Sequence, residues 1–162
     1  MNMEDDREAD HVVVRRLRPE DLEAVIATDA RSAGRRRDEF FKLKLKQALS
    51  DTGIQVSLAA EVDGSFAGFL LARVYYGEFG MVEPTAALDT IGVRPEARGR
   101  GVGAALVRQL RTNLLGLGLG IPRLQTEVGW ESLDLLAFFH HEGFRPAARF
   151  CLDLDLEATR DR

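Results

Sequence analysis

One segment restricts the possible folds of this chain more than any other. It runs Ile91-Gly92-Val93-Arg94-Pro95-Glu96-Ala97-Arg98-Gly99-Arg100-Gly101-Val102-Gly103-Ala104-Ala105-Leu106. A short apolar stretch ends at Val93, three glycines follow at alternate positions, and a helical pattern begins at once. In that pattern Val102, Leu106, Leu110 and Leu114 recur every four residues, the spacing of one helix face. The segment therefore reads as strand, tight turn, helix. The first N–H groups of a helix have no intrahelical acceptor, and the helix dipole there favours an anion. Glycines remove the Cβ atoms that would hold a phosphate away from those N–H groups. Arg98 and Arg100 add positive charge. The turn Arg98–Gly103 is thus expected to seat a phosphate or pyrophosphate, through Arg98, Gly99, Arg100, Gly101, Val102 and Gly103.

Two familiar phosphate sites fit this turn poorly. A P-loop needs Gly-Lys-Ser or Gly-Lys-Thr, and the turn contains no lysine. A dinucleotide fold places its glycine turn in the opening strand–helix–strand unit. Here the turn comes late, and Gly99, Gly101 and Gly103 are spaced G-x-G-x-G.

The rest of the chain supplies the context. His11–Leu17 reads as a strand, and Arg18-Pro19-Glu20-Asp21 opens a helix carrying Leu22, Val25 and Ile26. A second helix is expected from Arg36 to Leu49, with Phe40, Phe41 and Leu45 inward. Gln55–Val62 alternates, Asp63-Gly64 signals a hairpin turn, and Phe66–Tyr76 returns. Thr85–Val93 is the strand that leads to the turn. After the Gly101–Leu115 helix come a strand at Arg123–Val128 and a helix from Ser132 to Glu142, with Leu135, Leu136 and Phe139 inward. A last strand is expected at Arg145–Leu156, where Phe150, Leu152, Leu154 and Leu156 share one face. This gives one α/β domain over residues 11–158, a central, mixed but mostly antiparallel sheet flanked by helices. Residues 1–10 read as a disordered tail.

Composition narrows the partners. The formal net charge of -4 argues against nucleic acid. No apolar run approaches the roughly 20 residues of a membrane span, and the polar start lacks a signal peptide's apolar core, so the expected location is cytoplasmic. The one cysteine, Cys151, is expected to be a buried thiol. No metal site is expected, because His140 and His141 have no third ligand spaced with them.

Arg98-x-x-Gly101-x-Gly103 resembles the pyrophosphate motif of the GNAT superfamily of N-acetyltransferases, Arg or Gln-x-x-Gly-x-Gly or Ala. The element order resembles that family's over roughly Val12–Leu156, and Gly143-Phe144 after a short helix fits its C-terminal part. The resemblance implies acetyl-CoA as cosubstrate, coenzyme A as product, and direct acyl transfer to a primary amine on a small molecule or on a protein or peptide. It also allows a homodimer. It implies that pantetheine lies in a gap beside the strand before the turn, paired with the backbone of Ile91 and Val93, and that an N–H near Ile91 polarises the thioester carbonyl.

An attacking amine must lose a proton, which calls for a base. Asp89, within the strand and expected on the face of Ala87 and Ile91, and Glu127, near the end of the next strand, are the candidates. The family's tyrosine general acid is replaced by Phe139, and its helix-opening asparagine by Ser132, a candidate cofactor contact. His140, Tyr75 or Tyr76 are the possible donors in its place, or water. The missing tyrosine also leaves open a non-catalytic acyl-CoA-binding sensor or interaction module.

Overall fold

The computed structural model describes residues 11–50 and 54–158; the expected tail at 1–10 lies outside them. The chain divides into two compact units, one extending to Glu127 and one from Val128 onward.

The first unit holds a five-stranded sheet in the order β1-β2-β3-β4-β5. Its strands are β1 (Val12–Arg16), β2 (Leu58–Val62), β3 (Ser65–Tyr75), β4 (Thr85–Val93) and β5 (Leu124–Gln125). The first three pairings are antiparallel and β4–β5 is parallel, so the expected mixed, mostly antiparallel sheet is what forms. Helices α1 (Leu22–Ala33) and α2 (Asp38–Ala48) cover one face, and α3 (Val102–Gly116) covers the other.

The α1/α2 face is a continuous apolar cluster of Leu17, Val25, Ile26, Phe41, Leu45, Ala59, Phe69 and Leu71. Phe41 meets Phe69 edge to face with ring centroids 6.0 Å apart, a geometry aromatic pairs prefer. On the other face α3 buries Val102, Leu106, Val107, Leu110 and Leu114, the stripe its four-residue spacing predicts. Because helices cover both faces, β2 does not alternate as expected: Leu58, Ala59, Ala60 and Val62 are all buried, as in any strand with a core on either side.

A partly buried ion pair anchors the entry to α1. Arg15 on β1 grips Asp21 through two bonds of 2.8 Å and reaches Glu61 on β2 at 3.0 Å. Asp21 also accepts the Arg18 backbone N–H at 2.8 Å. Burial alone would raise the Asp21 pKa, but the Arg15 guanidinium and the Arg18 N–H outweigh it and hold the carboxyl below its ordinary range.

The second unit contains α4 (Leu133–His141). Phe139 is its buried residue, with its ring 5.2 Å from Phe138 and 5.0 Å from Phe144. Leu135 and Leu136, expected inward, are exposed. The expected strand at Arg145–Leu156 does not form; no ladder includes it among the described residues, and Phe150, Leu152, Leu154 and Leu156 are exposed. Alternation supplies an apolar face, but a strand needs a neighbouring backbone to bond to. Cys151, expected to be buried, is exposed on this segment. The expected strand at Arg123–Val128 shrinks to two residues for the same reason, since β4 accompanies it only at Ala86↔Leu124 and Ala87↔Gln125.

Candidate functional site

The site is built around β4 and the turn that follows it. From Val93 the chain passes through a single 3-10 turn at Pro95–Ala97, then Arg98 in extended conformation. Gly99 has φ +78° and Gly101 φ +77°, values that cost an L-residue roughly 1–2 kcal/mol. A Cβ built on either would meet no protein atom within 4 Å, so the space above these peptides is open. Gly101 caps α3, whose first intrahelical bond runs from the Ala105 N–H to the Gly101 carbonyl at 2.9 Å. The N–H groups of Val102, Gly103 and Ala104 precede that bond and form the expected anion-seeking end of a helix. Two contacts tie the turn to the end of α1: Arg31 to Glu96 at 2.9 Å, and Arg98 to the Ser32 hydroxyl at 3.1 Å.

Beside the turn, β4 has an open edge. Toward β5, the Ala86 N–H donates to the Arg123 carbonyl at 3.2 Å, and the Thr126 hydroxyl donates to the Leu88 carbonyl at 2.9 Å. Beyond Leu88 no strand accompanies that edge among the described residues. On the inner edge the Arg94 N–H donates to the Ala67 carbonyl at 2.8 Å, and the Gly92 carbonyl oxygen lies 2.7 Å from where a Cβ on Gly68 would sit. Main-chain groups alternate sides along a strand, so those of Ile91 and Val93 point to the open edge. These are the two residues named for the pantetheine chain.

Asp89 lies where the ladder breaks. Leu71 pairs with Thr90 and Ala72 with Leu88, so Asp89 is the extra residue of a β-bulge. Cross-strand partners share a face. Leu71 belongs to the α1/α2 cluster, which places Thr90 on that face, whereas Ile91 and Leu88 share the α3 face with Leu70 and Ala72. Asp89 therefore stands with Ala87 and Thr90 on the α1/α2 side, and its expected placement with Ile91 is corrected: the bulge resets the period of two. Nor is Asp89 a buried acid. Its side chain is 38% exposed, and Lys44 of α2 holds it at 2.9 Å. The Lys44 ammonium also lies 5.6 Å from the centre of the Phe40 ring.

Glu127 is exposed and lies outside any strand, one residue past Thr126. Tyr75 donates its hydroxyl to Gln125 at 3.2 Å, and Arg73 stacks on its ring; Tyr76 is exposed. Ser132 precedes α4 in the second unit. Its hydroxyl makes no cap bond, while its carbonyl accepts from Leu136 at 3.0 Å. His140 and His141 are exposed, and no metal-binding group occurs among the described residues. Of the basic run before α2, Arg36 is paired with Glu23 and Asp38, and Arg37 with Asp29. Sequence reasoning missed Lys44. Its signal was faint: it is one of only three lysines in the chain, and it lies on the opposite side of α2 from Lys42 and Lys46.

A strand with a bulge and a one-sided edge, followed by a left-handed glycine turn opening a helix, is the frame of a transferase that uses an acyl-CoA. Residues 19–144 match the acetyltransferase (GNAT) family, and the chain belongs to that family. Membership makes it an acyltransferase with acetyl-CoA as cosubstrate. Among curated proteins none matches by sequence. Among solved structures it is similar to an aminoglycoside N-acetyltransferase in complex with CoA, at 20% identity and TM-score 0.73, over 90% of this chain and 95% of that one. A ribosomal-protein-alanine N-acetyltransferase from Brucella melitensis gives TM-score 0.70 at 20% identity, over 90% and 99%. A transcriptional regulator from Bacillus halodurans gives TM-score 0.73 at 20% identity, over 90% and 100%. No helix of the described residues is long and apolar enough to cross a membrane.

Proposed function

We propose that this protein moves an acetyl group from acetyl-CoA to a primary amine by direct attack. The observation that carries the reading is the coincidence of the open β4 edge at Ile91 and Val93 with the left-handed glycines 99 and 101 at the start of α3. Acetyl-CoA brings the activated thioester. The N–H groups of Gly99 to Gly103 hold its pyrophosphate, with Arg98 and Arg100 adding charge. The main chain of Ile91 and Val93 aligns the pantetheine arm. A donor near Ile91 N–H stabilises negative charge as it develops on the carbonyl oxygen. Asp89 takes the proton of the incoming ammonium, and Glu127, on the other side of the gap, is the second candidate base. Ser132 is the remaining proposed cofactor contact.

Phe139 cannot donate a proton and Tyr75 is committed to Gln125, which leaves His140, Tyr76 or water to protonate the departing thiolate. The acceptor is an amine on a small molecule or on a protein or peptide. The two kinds appear in the names of the similar structures, an aminoglycoside enzyme and a ribosomal-protein enzyme. We further propose a cytoplasmic enzyme, and a homodimer on family grounds alone. The test is to titrate the protein with acetyl-CoA by calorimetry and then to assay thiol release across an amine panel. Saturable binding with amine-dependent thiol release is the expected result. The buried, hydroxyl-free ring of Phe139 favours one competing reading, an acyl-CoA sensor; binding without thiol release for every amine would select it.

A further inference from the structure

We propose that Lys44 is an acetyl acceptor within the protein itself, modified in cis by bound acetyl-CoA. The inference rests on the proposed function above, in particular on the open β4 edge as the place of the thioester.

The chain has three lysines, Lys42, Lys44 and Lys46, all on α2. Successive helical residues turn about 100°, so Lys42 and Lys46 lie on one side and Lys44 on the other. Lys42 pairs with Glu39 of the same helix, and its side chain is 55% exposed. Lys46 is exposed. Lys44 instead reaches across to the sheet. Its side chain is 31% exposed, and its Nζ lies 2.9 Å from Asp89 Oδ2.

Asp89 is the bulged residue, two positions before Ile91. Two residues of strand span at most about 7 Å, and a bulge shortens that. The main chain of Ile91 opens to the unpaired edge, so the carboxylate that holds the Lys44 nitrogen belongs to the residue two positions before the proposed oxyanion donor. The Lys44 nitrogen also stands on the face from which Asp89 works. An ammonium bonded to a carboxylate beside an acyl donor is the arrangement required of any outside acceptor.

The step balances without a further reagent. Lys44 gives one proton to Asp89 and attacks the thioester carbon. The N–C bond forms and the C–S bond breaks. The thiolate leaves and takes up the proton held by Asp89, and the nitrogen's second proton passes to solvent. Lys44 ends as a neutral acetamide, coenzyme A leaves as the free thiol, and one proton is released. The acetamide can no longer pair with Asp89 as a cation, so the modification would vacate the carboxylate for an outside amine.

The test is a comparison of two labelling patterns on the full-length protein, read by peptide mass mapping. In the first, N-hydroxysuccinimide acetate is applied with no acetyl-CoA present. Lys42 and Lys46 should label several-fold faster than Lys44, which is half-buried and held by Asp89. In the second, acetyl-CoA is applied alone. Lys44 should now lead the other two by at least tenfold, at a rate per molecule that does not change on dilution. Asp89→Asn should bring Lys44 down to the level of its neighbours, and Lys44→Arg should leave the neighbours unchanged. Equal labelling of the three by acetyl-CoA, or a rate that rises with protein concentration, would overturn the inference. A calorimetric titration separates the two levels: acetyl-CoA binding with Lys44 unmodified removes this inference alone, whereas no binding removes the proposed function too.

Discussion

At the glycine turn the main chain supplies the chemistry, and side chains matter chiefly by their absence. At the bulge eight residues or more upstream the reverse holds: the backbone is merely interrupted there, and a carboxylate and an ammonium do the work. Both belong to one strand–turn–helix segment. The turn can tolerate changes of side-chain charge but not of side-chain bulk at its left-handed positions. The bulge can tolerate changes of shape but not loss of a proton acceptor. Positioning of a phosphate and movement of a proton are thus separable by mutation.

Gly101→Glu attacks the turn where it is most sensitive. It places bulk and negative charge in the open space above the α3 terminus, and its φ of +77° adds strain. Acetyl-CoA affinity should fall by more than roughly a hundredfold, about 3 kcal/mol, while Tm drops by the few degrees that roughly 1–2 kcal/mol of strain implies. Calorimetric affinity within threefold of wild type would remove the turn as the phosphate seat.

Asp89→Asn should do the opposite. It keeps the shape of the bulge and should leave acetyl-CoA affinity unchanged while lowering kcat by on the order of a hundredfold, the low end of what a positioned base supplies. Glu127→Gln is its counterpart, with kcat within about threefold expected. A steady-state pH–rate profile on both variants decides which carboxylate titrates. Loss of the acidic limb in Glu127→Gln alone would transfer the role.

Asp21 sharpens what distinguishes a scaffold carboxylate from a reactive one. Its folded pKa is depressed, so its contribution to stability is present above the unfolded value and is lost as pH falls through the folded one. Asp21→Asn should cost about 2 kcal/mol at neutral pH, as Arg15 keeps Glu61 but loses its bidentate partner. That penalty should shrink on acidification below about pH 4, which thermal melts across pH 2–7 would reveal. A penalty that is constant with pH would mean the pair acts by packing rather than by charge.

The smallest change belongs to Arg98→Ala. If N–H groups carry the phosphate, removing this guanidinium should weaken acetyl-CoA two- to fivefold, an effect of roughly 0.5–1 kcal/mol that added salt diminishes. A loss as large as that of Gly101→Glu would shift the burden from main chain to side chain.

Much of this is legible in the sequence. The glycine spacing located the turn, and the four-residue repeat located α3, because both depend on neighbours in sequence. The family resemblance implies Ile91 and Val93 as pantetheine contacts, and with the Arg94 N–H turned toward β3 the main chain of those two residues faces the open edge. The bulge was not legible. A residue skipped by its partner strand leaves no mark in a pattern of period two, so alternation alone puts Asp89 on the face of Ile91. The Lys44 contact was hidden for a related reason: it joins a helix to a strand more than forty residues away. The terminal segment failed in the other direction. Phe150, Leu152, Leu154 and Leu156 alternate as a strand should, but alternation describes a face and says nothing of a bonding neighbour.

The confinement of every lysine to α2 has a practical side. Coupling through side-chain amines, whether to a fluorophore, a resin or a sensor chip, will attach this protein by the helix that faces Asp89. Attachment should run mainly through Lys42 and Lys46, on the side of that helix turned away from Asp89, and coupling through the thiol of exposed Cys151 would leave all three lysines unmodified.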